Sequence, residues 1–159
     1  MSEICDDIDA FAAQVGNAAS LMGLDLGTKT IGVAISDRLQ TVATPRETIK
    51  RKKFGIDADA IDRLIADNQI AGIVLGLPMN MDGSEGPRAQ STRAFARNLT
   101  ARIAVPIFFW DERLSTVAAE RALLEADMSR KKRADVIDNV AASYILQGVL
   151  DRLSHIRRG

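Results

Sequence analysis

The sequence predicts an α/β domain: a mixed five-stranded sheet, in which a three-strand meander precedes alternating helices and strands, with helices on both faces. Three observations carry this. Apolar runs at 21–26 and 30–35 and a third candidate strand at 41–49 follow one another with only turns between them. Downstream, segments with apolar residues at helical spacing alternate with the short apolar runs 70–75 and 105–110. The long last segment, 134–153, keeps an apolar stripe of helical period. A meander followed by alternation gives antiparallel pairing first and parallel pairing afterwards, and such a sheet is covered by helices.

The elements follow in order. Residues 1–19 form an acidic extension in which Ile4, Ile8, Phe11, Ala12 and Val15 recur at helical spacing. It reads as a short helix or as disorder, ended by Gly16-Asn17. Residues 20–159 read as a single domain. Leu21 to Leu26 is a buried strand that ends at Gly27, and Thr30 to Ile35 is a second, so the Gly27-Thr28-Lys29 turn closes a hairpin. Thr41 to Ile49 supplies the third strand; Pro45 lacks an N–H and confines it to an edge or a bulge. Ile61, Leu64 and Ile65 predict a helix from Ile56 to about Asp67, and the run Ile70 to Leu75 is closed by Gly76-Leu77-Pro78. After a loop at 79–87, Phe95 and Leu99 mark a helix from Arg88 to Arg102. Val105 to Trp110 is the fifth strand. A helix from Ser115 to about Ala126, capped by Ser115 or Thr116, a basic loop, and a last helix from Ala134 to Leu153 complete the chain.

Composition narrows the function. With 159 residues, 47% of them hydrophobic, the chain can bury one core and is not a disordered polymer. The formal net charge is zero, so attraction to nucleic acid would have to come from local clusters. Lys50-Arg51-Lys52-Lys53 and Arg130-Lys131-Lys132-Arg133 are two such clusters, although either alone also reads as a solvated loop. The sequence has one cysteine, Cys5, and one histidine, His155, which excludes an intramolecular disulfide and a Cys/His zinc cage. There is no apolar run of the roughly 18–20 residues a membrane span needs. Acidic residues occupy the N-terminus where a signal peptide carries positive charge, so a soluble cytoplasmic protein is expected.

Three acidic positions stand out. Asp25 interrupts the apolar strand L-M-G-L-D-L, where a charge is costly unless compensated. On its own it could equally be bonding the following turn. Asp138 borders the apolar stripe Ile137, Val140, Ala141, Tyr144, Ile145, Gly148 and Val149, past the first helical turn where a carboxylate is explained by the helix dipole. Asp111-Glu112 ends a predicted strand, the edge where open α/β sheets gather their sites; an ion pair with Arg113 is the simpler account of that pair alone. Together, carboxylates from distant parts of the chain repel one another, and a hard divalent cation with oxygen preference, such as Mg²⁺, relieves the repulsion. Paired ions of this kind activate water against phosphodiesters without a His or Cys catalyst. The loop Asn80 to Gly86 fits a helix cap by Ser84 or Glu85, or a phosphate contact with Arg88 and Arg93 nearby.

Four blocks then carry a resemblance: G-L-D-L-G-T-K-T-I-G-V-A-I-S-D at 23–37; G-L-P-M-N-M-D-G-S-E-G at 76–86 with Arg88-Ala89 and Arg93; D-E-R-L-S-T from Asp111 with Ala119-Glu120; and V-I-D-N-V-A-A-S-Y-I-L-Q-G-V-L at 136–150. Over roughly residues 21–153 the chain resembles the YqgF/RuvX family of pre-16S rRNA nucleases, relatives of Holliday-junction resolvases with the RNase H-like fold. The resemblance implies Asp25, Glu112 and Asp138 as catalytic residues and metal ligands for Mg²⁺ or Mn²⁺, with Glu112 the ligand of its acidic pair. Lys29, Arg88, Arg93, Arg113, Lys131 and Lys132 are the expected substrate contacts. It implies hydrolysis of phosphodiester bonds in the 5′ end of pre-16S rRNA during ribosome assembly. The expected partners are pre-rRNA ahead of branched DNA, and a ribosomal-subunit precursor, with no membrane and with a monomer or homodimer. One departure is visible: resolvases carry an acid at the end of the fourth strand, where this chain has Gly76-Leu77-Pro78.

Two other readings compete. Asp25-Leu26-Gly27-Thr28-Lys29 resembles the phosphate loop of actin-like ATPases and sugar kinases, but those proteins need two such lobes and one fills this chain. A catalytically silent RNA-binding assembly factor would gain nothing from clustered like charges. A Holliday-junction-type DNA resolvase stays open as an alternative substrate class.

Overall fold

The computed structural model describes residues 2–114 and 130–158, with side chains left undescribed at 130–138. Among the described residues the sheet has six strands rather than five: β1 (Ile4–Cys5), β2 (Ser20–Leu26), β3 (Thr30–Ser36), β4 (Ala43–Lys50), β5 (Ile70–Leu77) and β6 (Ile107–Asp111), in the order β1-β6-β5-β2-β3-β4. The extra strand is two residues long, too short to leave a periodic signal; Ile4 and Cys5 pair in parallel with Ile107 and Phe108. β2, β3 and β4 form the antiparallel meander, and β2, β5 and β6 run parallel. Pro45 sits where its missing N–H costs least: β4 is the sheet edge, and its register with β3 shifts between Val33 and Ala34, beside Pro45.

Helices α1 (Ile8–Val15) and α4 (Arg130–Arg158) cover one face, while α2 (Phe54–Asn68) and α3 (Pro87–Thr100) cover the other. The N-terminal segment is docked. Asp7 caps α1 by accepting from Ala10 N at 2.8 Å, and Gly16 ends it with φ +73°. Phe11 is fully buried and stacks on Phe108 at 5.5 Å. Gly72 makes the close approach: a Cβ there would lie 2.6 Å from Val15 and 2.8 Å from Phe11.

Helix α4 differs from expectation in two ways. It begins at Arg130, so the basic cluster 130–133 is helical and not a loop. A run of arginine and lysine has good helix propensity, and charge alone does not separate a helical turn from a loop. Its buried stripe is also rotated: Ala142, Leu146, Leu150 and Leu153 are buried, while Val140, Tyr144 and Gly148 are only partly so. The helix predicted at 115–126 lies outside the described residues.

Candidate active site at the carboxyl edge of the sheet

Direction along α4 decides what the sheet edge collects. Gln147 accepts from Ala43 N at 2.9 Å and donates to Thr41 O at 3.1 Å; Arg157 donates to Gly16 O at 2.7 Å. All three partners flank the ends where β2 and β4 begin. α4 therefore runs antiparallel to β2, and its first turns lie toward the C-terminal ends of β2, β5 and β6.

Two glycines let α4 settle on the sheet. A Cβ on Gly23 would stand 2.7 Å from Leu146 Cβ and 2.8 Å from Ala142 O. A Cβ on Gly76 would meet Ile145 Cδ1 at 2.5 Å and Glu112 Cδ at 3.5 Å. Asp25 is two residues past Gly23, hence on the same face, and it is 3% exposed. It is level with Gly76, one residue beyond the Leu24–Leu75 pair. Glu112 belongs to the short 3₁₀ turn Glu112–Leu114 that ends β6, and its carboxylate lies over Gly76. The bare glycine opens the space between β2 and β6, and Glu112 reaches into it from the side. The carboxylate from the end of β6 thus lies over the strand position where the sequence lacks an acid.

Position 138 stands in α4 four residues before the buried Ala142. Four helical residues rise about 6 Å and two strand residues about 6.6 Å. Past the Gly23–Ala142 contact, the backbone of Asp138 thus advances as far toward this edge as Asp25 does. Its side chain, like those of Lys131 and Lys132, lies outside the described residues. Among the described residues, no group of three metal-ligating side chains is complete.

The basic residues converge on the same edge. Lys50 pairs with Thr30, and Arg51 N donates to Lys29 O at 2.9 Å, which joins the Lys50–Lys53 cluster to the exposed Lys29 turn. The buried Asp57 carboxylate accepts from Lys52 N at 2.9 Å and pins that segment. Arg88 reaches Leu26 O at 3.4 Å.

Arg93 and Arg113 are engaged in ion pairs. Arg93 grips Glu85 with both Nε (2.6 Å) and Nη2 (2.8 Å) and lies over the Phe109 ring at 5.0 Å. Neither Ser84 nor Glu85 caps α3, since Gly86 is the N-cap, without a side-chain bond, and Pro87 follows it. Ser84 bonds back to Asp82 instead, at 2.9 Å from its N–H and 2.6 Å from its hydroxyl. Arg113 forks onto Asp111 (Nη2–Oδ2 2.7 Å) and donates to Met81 O at 3.4 Å, tying the 79–86 loop to the strand end that carries Glu112. The hydrogen bonds from Arg113 hold the Asp111 carboxyl below its ordinary range. A depressed carboxyl stabilises the fold fully above its unfolded pKa of about 3.9 and loses that contribution as pH falls through the lower folded value. Acid unfolding should therefore show a component below about pH 4 that Asp111→Asn lacks, read by circular dichroism at fixed temperature; identical acid limbs would remove this latch.

A mixed sheet of this order, an antiparallel meander joined to parallel strands with helices on both faces, is the RNase H-like fold. The T. thermophilus RuvC structure in complex with a Holliday junction substrate shares the fold: TM-score 0.55, 10% identity, covering 86% of this chain and 96% of that one. Residues 19–152 match the family model described as RuvX: Holliday junction resolvase. A Rhodobacter capsulatus protein named "Putative pre-16S rRNA nuclease" is 64% identical over 155 residues, 98% of each chain. A Ruegeria pomeroyi protein of the same name is 66% identical over 153 residues, 96% of this chain and 99% of its own. The chain belongs to the RuvX family and is by class a nuclease, a hydrolase of phosphodiester bonds. The likeness to these relatives extends over most of the docked N-terminal segment, which the family model leaves out.

Proposed function

We propose that the chain cleaves the 5′-extended precursor of 16S rRNA in the cytoplasm, at a centre formed by Asp25, Glu112 and Asp138. The observation that supports this is the Glu112 carboxylate lying over Gly76, level with Asp25 in the neighbouring strand, at the edge toward which the first turns of α4 point. The names of the relatives favour precursor rRNA over a DNA junction.

The donors are all carboxylate oxygens, which fits Mg²⁺ or Mn²⁺ and not a softer metal. Asp25, Glu112 and Asp138 would hold it, and when bound it would supply Lewis acidity toward the phosphate and a more acidic water. The chain's own residues do the rest. Buried Asp25 keeps the centre partly shielded from water, where charge interactions are strong. Lys29, the Lys50–Lys53 cluster and Lys131 and Lys132 grip the sugar-phosphate backbone around it without reading bases. Arg113 and Arg93 fix the loop beside Glu112.

Pure protein incubated with precursor rRNA and with a four-way DNA junction, each with and without Mg²⁺, tests the reading. Metal-dependent trimming of the RNA is expected. Cleavage of the junction alone would move the substrate to DNA, and binding without cleavage of either would make the chain an assembly factor. Affinity should also fall steeply with salt, with a log–log slope of about −0.7 per phosphate contacted on single-stranded RNA. A flat salt response would remove the basic clusters from binding.

A further inference from the structure

We propose that the groove between the β2–β3 turn and α3 is a phosphate subsite, one residue round the sheet edge from Asp25; this rests on the nuclease reading above. The groove encloses about 260 Å³ and is lined by Gly27, Thr28, Arg51, Arg88, Ser91 and Thr92, with Leu26 and Pro87 as its apolar wall. Among the described residues no carboxylate lines it. This separates its arginines from Arg93 and Arg113, which are neutralised by Glu85 and Asp111. Arg51 donates to Gly27 O at 2.6 Å and lies 5.7 Å from the Phe95 ring centre; Arg88 has its long bond to Leu26 O. A carbonyl satisfies one N–H without cancelling the charge, and a guanidinium carries five N–H donors in a fixed fork. Two guanidinium groups, a Thr and a Ser hydroxyl and no acid around one opening match a phosphate in charge and in donor type.

Place in the fold supplies the occupant. Leu26 directly follows Asp25 in β2, so the groove and the acidic centre lie on opposite faces of the same strand end. A polynucleotide laid across the ends of the parallel strands, with its scissile bond at Asp25, carries a flanking phosphate over Leu26 to Arg88 and Arg51. Thr28 and Ser91 are exposed at the rim and donate hydroxyls to it.

The test uses the full chain carrying Asp25→Asn, so that binding is read without turnover. Affinity for single-stranded RNA oligonucleotides with a 5′-phosphate or a 5′-hydroxyl is measured by fluorescence anisotropy across a salt series. Adding Arg88→Gln should weaken binding about tenfold and reduce the salt slope by about 0.7. Arg51→Gln should act alike. Because Arg51 also holds Gly27, Ser91→Glu is the second variant: it sets a negative charge in the opening at an exposed helical position and should weaken binding at least as much. Equal losses on both oligonucleotides assign the groove to an internal phosphodiester; a loss confined to the 5′-phosphorylated one assigns it to a terminal phosphate. Unchanged affinity and slope in both Arg88→Gln and Ser91→Glu overturn the subsite, even if the wild-type chain cleaves RNA. If the wild-type chain cleaves nothing, the nuclease reading fails, and the same binding data still decide the groove.

Discussion

Asn in place of Asp25 is expected to lower metal-dependent cleavage by about 10³-fold or more while the protein stays folded, since removing one group that stabilises transition-state charge typically costs of that order. The substitution is nearly isosteric, so packing beside Gly76 and beneath α4 is kept. What changes is charge. Asp25 is 3% exposed and level with Gly76, over which the Glu112 carboxylate lies, so without metal two negative charges brought to one strand end disfavour each other. The variant should therefore melt no lower than the wild type in chelator. Mg²⁺ should raise the melting temperature of the wild type, because a ligand that binds only the folded state stabilises it by mass action, and should raise that of the variant much less. Cleavage of labelled precursor and melting curves with and without Mg²⁺ give both readouts. Wild-type rates in Asp25→Asn would remove this residue from the reaction, and a Mg²⁺ shift of equal size in both proteins would remove it from metal binding.

The parts of this site legible in the sequence are those that break a local rule. Asp25 was conspicuous because six apolar or small neighbours surround it in a strand, and burial makes an isolated charge expensive. Pro45 announced an edge or a bulge, and both occur together at Ala34. What stayed hidden depends on long-range geometry. Gly76 read as a missing acid, because nothing local shows that Glu112 folds back over it. Glu85 read as a cap because its spacing suits one, but Arg93, eight residues on, offers a two-pronged partner that a backbone N–H cannot match. Strand β1 comes with the docking of α1: Phe11 stacks on Phe108, and Ile4 and Cys5 pair with the edge of β6. The rotation of the α4 stripe is likewise set by the glycines it lands on.

That dependence on glycine leads to the largest expected effect on stability. Gly23→Ala should cost about 3 kcal/mol, the upper end of what overpacking a close contact does. For a chain of this size that corresponds to a fall of roughly 6–12 °C in melting temperature. The added methyl would meet Leu146 Cβ at 2.7 Å and the carbonyl oxygen of Ala142 at 2.8 Å. Neither can rotate aside, since one is fixed to the helix and the other is the helix backbone, so α4 must lift from the sheet. Gly76→Ala is the control. Its closest clash, 2.5 Å, is with Ile145 Cδ1, the free end of a side chain, and a rotamer change relieves it at about 1 kcal/mol. Activity should follow stability. Lifting α4 carries position 138 away from Asp25, whereas a methyl at Gly76 would lie 3.5 Å from the carboxylate carbon of Glu112, an ordinary contact that leaves the acid in place. Gly23→Ala should lose cleavage along with stability, and Gly76→Ala should keep most of both. Calorimetry alongside cleavage assays separates them. If Gly23→Ala melted like the wild type, α4 would not be seated on β2 as described, and the alignment of position 138 with Asp25 would lose its support.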